Sequence, residues 1–224
     1  MSILSHAELI RRVPLFTMMT SDQSILLSEA VTKRRYKRGE AMVEQGAQAN
    51  ALVLILAGRA RVVMTDRQLR EVILATLRPG DYSGEMSLID SEPHSASVVA
   101  EIQTDALVLG RSEFERCLND NAPMAQAVMR GLVLRLRQAN EKISSLALLN
   151  VYERVAKVLM GYAIPSGDRK LIIRDKMSRQ DIAKMVGASR EMVGRVMRDF
   201  EEQGFIEISE GGLITLTERR ASPR

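Results

Sequence analysis

One cysteine, two histidines and no tryptophan stand in a chain of 224 residues. With Cys117 alone, an intramolecular disulfide is impossible, and no cysteine cluster exists to hold zinc or an iron–sulfur centre. His6 and His94 give no positive support to a haem site. Aromatic residues make up 4% of the chain, too few for the stacking platforms that single-strand nucleic-acid binders need. A glycine-rich phosphate loop and a nucleophile–base pattern are both missing, so no catalytic residue set or metal site can be assembled and an enzyme is not expected. No apolar run approaches membrane-spanning length. The segment Met1 to Pro14 carries Glu8, Arg11 and Arg12 and lacks an apolar core. It does not read as a secretory signal, and the expected compartment is the cytoplasm.

What is present is the balance of an ordinary soluble protein, 46% apolar and 27% charged. The formal net charge is +4, a lean towards polyanionic partners. Residues 1–150 are near neutral, whereas residues 151–224 hold 14 Lys and Arg against 11 Asp and Glu.

From about Thr32 to Gly110, short apolar runs alternate with glycine-marked turns at Gly39, Gly46, Gly58, Gly80 and Gly84. Val53–Leu56, Ala60–Met64, Val72–Leu74 and Ala106–Leu109 have strand length and composition, which predicts a barrel or roll. Residues 1–30 read as helical and would cap it. From about Ser112 the period turns helical for nearly forty residues. Leu132, Leu136, Ala139, Ile143 and Leu146 recur at spacings of four and three, a heptad seam between charged flanks that include Arg135 and Arg137. Packing within the chain is one reading of the seam; dimerisation is preferred, because the stripe is narrow. Residues 151–163 form a further amphipathic helix, and Pro165–Asp168 reads as a turn or loop.

Near the end, Ser178 is positioned to cap a helix whose buried side is Ile182, Ala183, Met185 and Val186. Gly187 stops it, and Ser189 caps a second helix after a very short turn, which is helix-turn-helix spacing. Met192, Val193, Val196, Met197 and Phe200 form one face of that second helix. Arg190, Glu191, Gly194, Arg195 and Arg198 form the other. Arginine forks match guanine O6 and N7, glutamate accepts from a cytosine amino group, and glycine leaves room for close approach. A solvated charged face is the plain alternative; the tight joint before it favours DNA reading. Phe205–Ile208 and Leu213–Leu216, flanking Ser209–Gly212, predict a hairpin, hence a winged helix-turn-helix.

Three strings, LRPGDYSGEMSLID at 77–90, NEKISSLALLNVYERVA at 140–156 and MSRQDIAKMVGASREMVGRVMRDFEEQGFI at 177–206, resemble the CRP/FNR family of bacterial transcription regulators. The resemblance spans the chain and implies an α+β architecture in three parts. These are an effector-sensing β-roll over 1–120, a central dimerisation helix over 121–150 and a winged helix-turn-helix over 151–224. By position it implies base reading by Arg190, Glu191 and Arg195 and phosphate contacts by Arg179 and Gln180, with Ser189 beside them. It further implies half-sites like TGTGA in a palindrome, matching dimer symmetry. The expected partners are double-stranded DNA, a second copy and RNA polymerase, with no membrane.

The resemblance also implies an effector site, with Gly84, Glu85 and Ser95 matching residues that hold a cyclic nucleotide. His94 replaces the phosphate-binding arginine, and Ala139 and Asn140 replace a Thr-Ser pair. A guanidinium grips a phosphate through two parallel bonds, whereas a neutral imidazole offers one donor. Ala139 offers nothing to a base; Asn140 still can. Tight cyclic AMP binding in the usual manner is therefore not expected. Three expectations stay open: another ligand such as cyclic di-GMP, weak binding of a cyclic mononucleotide, or no ligand. Two different functions also stand beside the main reading, a ligand-independent regulator and a nucleotide-binding regulatory subunit acting on a protein partner. The Arg190, Glu191 and Arg195 face separates the last from the rest, since such a subunit has no use for it.

Overall fold

The computed structural model describes residues 20–166, 170–209 and 211–217, which divide into two compact units, 1–137 and 138–224. The expected helical cap falls partly on residues 1–19, outside the described residues. Its remainder is helix α1 (Ser21–Ala30), which buries Leu27.

Among the described residues, eight strands build the first unit as two four-stranded sheets. One has the order β1-β8-β3-β6, the other β2-β7-β4-β5. Strand β3 (Ala51–Ala57) explains the design. Its Leu52 and Leu54 pair in register with Leu109 and Leu107 of β8 (Thr104–Gly110), and all four face a helical layer. Its Val53 and Ile55 point the other way, into a second core shared between the sheets with Tyr36, Val43, Val98 and Ala106. A strand buried on both faces reads as a continuous apolar run rather than an alternation, which is why it stands out in the sequence. Strands β4 (Ala60–Thr65) and β5 (Glu71–Leu77) form a hairpin that includes the expected runs Ala60–Met64 and Val72–Leu74. Strands β1 (Val31–Tyr36), β2 (Ala41–Val43), β6 (Tyr82–Ser83) and β7 (Ser97–Ala100) complete the sheets.

The helical layer consists of α1, α2 (Glu85–Asp90), α3 (Arg111–Asp120) and the start of α4 (Ala122–Leu148), contributing Leu88, Phe114, Met124 and Val128. The helical stretch after Ser112 is thus two helices. They part at Asn121, whose backbone leaves the helical region at φ −136° and whose Oδ1 accepts from the Met124 N–H at 3.1 Å. Along α4, Leu136, Ala139, Ile143 and Leu146 are exposed, and so are Met129 and Val133. Leu132 differs from its predicted partners: it is half-buried against the core of the roll.

The second unit continues with α5 (Val151–Tyr162), which opens on a capping box between Asn150 and Glu153. Helices α6 (Arg179–Val186) and α7 (Arg190–Glu202) then pack with a sheet of order β11-β12-β10-β9 around Val155, Leu159, Ile173, Ile182, Val193, Val196 and Ile214. Strands β11 (Ile206–Ile208) and β12 (Ile214–Leu216) form the predicted wing. Of the turn or loop expected over Pro165–Asp168, Pro165 and Ser166 belong instead to β9 (Ile164–Ser166), paired with β10 (Lys170–Ile173), while Gly167 and Asp168 lie outside the described residues. β9 is an edge strand, where proline's missing donor removes no ladder bond from a neighbour.

Candidate nucleic-acid interface and effector pocket

Three short residues set the start of α6, its end and the start of α7. Ser178 Oγ accepts from the Asp181 N–H at 3.0 Å and donates to its carboxylate at 2.7 Å. Gly187 ends α6 with φ 64° and ψ 48°, left-handed values that glycine adopts without cost. Ser189 Oγ then accepts from the Met192 N–H at 3.1 Å and starts α7. Each serine satisfies a helix-terminal donor that would otherwise be orphaned, a contribution of roughly 0.5–2 kcal/mol.

On α7, Val193, Val196 and Met197 are buried, and Met192 and Phe200 are half-buried. Arg190, Glu191, Arg195 and Arg198 are exposed, as are Arg179 and Gln180 at the start of α6. Arg195 pairs with Glu191 at 3.2 Å, one turn apart on the surface. An exposed pair of this kind adds little stability, so both groups stay available to a partner. Gly194 differs from expectation. It is buried, and a Cβ there would stand 3.8 Å from Cδ and Nη1 of Arg179, whose side chain crosses it. That is ordinary van der Waals contact, so the arginine covers the glycine without requiring it, a packing relation that periodicity along one helix does not reveal.

In the roll, Gly84 links β6 to α2 with φ +101°. A Cβ there would meet the Ala51 carbonyl oxygen at 2.7 Å and His94 Cε1 at 3.7 Å. Both conformation and space demand glycine, whatever the pocket binds. Glu85 is 1% exposed, and Arg135 of α4 forms an ion pair with it. Arg135 also donates to the Tyr82 carbonyl, and its guanidinium carbon lies 4.9 Å over the Tyr82 ring. Burial raises the Glu85 carboxyl above its ordinary pKa, and the Arg135 charge opposes that shift. Glu85 Oε2 and the Tyr82 hydroxyl are both buried without a hydrogen-bond partner. Arg111 donates to the carbonyls of Ser87, Leu88 and Ala49, holding the far end of α2.

His94 is half-buried beside Gly84, and burial pushes its imidazole below the ordinary value. Burial thus disfavours the charged form that a phosphate would call for. Ser95 is exposed, and so are Ala139 and Asn140 in the second unit. The sequence reading missed the partnership of Arg135 and Tyr82 with Glu85, having placed Arg135 among the flanks of the seam. A fully buried carboxylate nearly always requires a cation, and that rule was the available signal.

Comparison with known proteins matches a cyclic nucleotide-binding domain at residues 33–121 and a Crp-like helix-turn-helix domain at residues 153–221. The cAMP-activated global transcriptional regulator Vfr of Pseudomonas aeruginosa is 29% identical, over 84% of this chain and 90% of its own. A CRP-like cAMP-activated global transcriptional regulator of Mycobacterium tuberculosis is 27% identical over 96% of this chain and 97% of its own. Among solved structures, the c-di-GMP-responsive global regulator CLP of Xanthomonas campestris superposes with a TM-score of 0.75 at 25% identity. It covers 85% of this chain and 96% of that one. These relatives are transcription regulators and not enzymes.

Proposed function

We propose that this chain, which belongs to the CRP/FNR family of transcription regulators, acts as a homodimer on a palindromic, TGTGA-like site. The observation that carries the reading is the exposed triad of Arg190, Glu191 and Arg195 on a helix capped at the turn of a helix-turn-helix. Arg190 and Arg195 supply forks for guanines and Glu191 an acceptor for cytosine. Arg179, Gln180 and Ser189 serve the phosphates, which position a reader without informing it. The exposed apolar residues of α4, among them Leu136, Ile143 and Leu146, support a dimer seam. The division into a sensing roll over 1–120, a dimerisation helix over 121–150 and a reading unit over 151–224 belongs to this proposal. So do action in the cytoplasm and RNA polymerase as a further partner.

The effector divides two readings. Relatives that respond to cyclic AMP or c-di-GMP support a sensing role for the roll. His94, whose charged form burial disfavours, and Ala139, which has no hydrogen-bonding side chain, favour a regulator that works without cyclic AMP. A gel-shift with a TGTGA palindrome tests the DNA reading. The intact protein is expected to bind, and a variant carrying Arg190→Ala and Arg195→Ala to lose about 1–3 kcal/mol per guanine contact. No shift by the intact protein, with or without cyclic nucleotides, overturns it.

A further inference from the structure

Arg195 has a carboxylate one turn away on either side along α7, Glu191 before it and Asp199 after it. Residues four apart on a helix are neighbours, so both carboxylates can reach the same guanidinium. Glu191 pairs with it at 3.2 Å, in the favoured order of acid before base. Asp199 is engaged elsewhere. Its Oδ2 accepts from the hydroxyl of Tyr152, which stands 47 positions away in the first turn of α5. The Tyr152 ring meets Phe200 edge-on with centroids 6.0 Å apart, and Phe200 meets Phe205 in the same manner at 6.2 Å. These contacts fix the phenol beside the carboxylate. The bond to Asp199, then desolvation, then the carboxylate's charge raise the phenol above its ordinary pKa, so it keeps its proton and stays a donor. The Arg195 charge opposes that shift, which puts Arg195 within electrostatic range of the same phenol.

We propose that Tyr152 is a positioning residue for base reading: by binding Asp199 it withholds that carboxylate from Arg195. The guanidinium is left with one exposed partner, Glu191, whose hold is weak enough to yield to a guanine. Held between two carboxylates, it would have to give up both to enter the groove. This rests on the DNA-binding reading and adds a residue off the reading face that sets specificity at one base. The plain alternative is a bolt, in which the Tyr152–Asp199 bond only holds α7 on α5.

Full-length wild type, Tyr152→Phe, Asp199→Asn and the double variant decide between them. Each is titrated against the TGTGA palindrome and against duplexes in which one half-site guanine at a time becomes adenine. The ratio of affinities gives the discrimination at each guanine and cancels any general effect of charge on DNA binding. Arg195→Ala identifies the guanine that Arg195 reads, as the one whose replacement then costs nothing further. Tyr152→Phe is expected to lower discrimination at that guanine by about twofold, the scale of an exposed pair one turn apart, and to leave the other unchanged. Asp199→Asn is expected to match wild type. The double variant has no phenol to make the bond, so a bolt predicts the same loss as Tyr152→Phe. Withholding predicts recovery, because the competing carboxylate is gone. Unchanged discrimination in Tyr152→Phe, an equal loss at both guanines, or no recovery in the double variant overturns the proposal while the DNA reading stands. Failure of wild type to bind any duplex overturns the DNA reading, and the proposal with it.

Discussion

At the scale of single residues, the chain's behaviour turns on a few groups that burial has placed under strain of charge or space. Glu85 is the clearest. Its carboxyl is raised first by burial and only partly restored by Arg135. A raised pKa means that the folded state holds its proton more tightly than the unfolded state does. The stability this contributes is full below the unfolded pKa, near 4.3, and is lost as pH rises through the folded value. Comparing thermal melts of wild type and Glu85→Gln from pH 4 to 7 isolates the group. The wild-type Tm is expected to fall relative to the variant as pH rises. A constant difference across the range contradicts the assignment. His94 shifts downwards through burial, which disfavours the cationic form that a phosphate anchor would need.

At the scale of elements, legibility followed locality. Ser178, Gly187 and Ser189 signal helix ends within a few residues of themselves, and the helix-turn-helix emerged with its boundaries correct. β3 was legible because both its faces are buried. β1 was not: its interior residues Thr32 to Arg35 are all exposed at the edge of its sheet, and polar side chains there carry no periodic signal. The clasp of Arg135 on Glu85 joins residues fifty positions apart, and Gly194 faces an arginine from another helix. Neither can be found by reading along one element. The caps make a measurable claim of their own. Ser189→Ala is expected to lower stability by about 0.5–2 kcal/mol and to weaken DNA binding through fraying of the first turn of α7. An unchanged Tm with intact binding would show that the cap contributes nothing.

At the scale of the whole molecule, α4 matters most, since it begins among the helices of the roll and continues past the boundary between the two units. It carries several exposed large apolar residues, among them Met129, Val133, Leu136, Ile143 and Leu146, and apolar surface of this kind is what an interaction site needs. Glu at both Leu136 and Ile143 is expected to convert a dimer to a monomer in sedimentation, with the fold retained by circular dichroism. A dimer that survives both changes places the seam elsewhere. Reading a palindrome depends on that symmetry, because two copies of one reading helix must meet two copies of one half-site.

The most direct test is a titration of the purified protein against a TGTGA palindrome, its isolated half-site and a scrambled duplex, with the mass of each complex measured. The account predicts two protomers per palindrome, with specific affinity about 10³-fold or more above the scrambled duplex, and much weaker binding to the half-site. Equal affinity for all three duplexes, or one protomer bound to the palindrome, would contradict it.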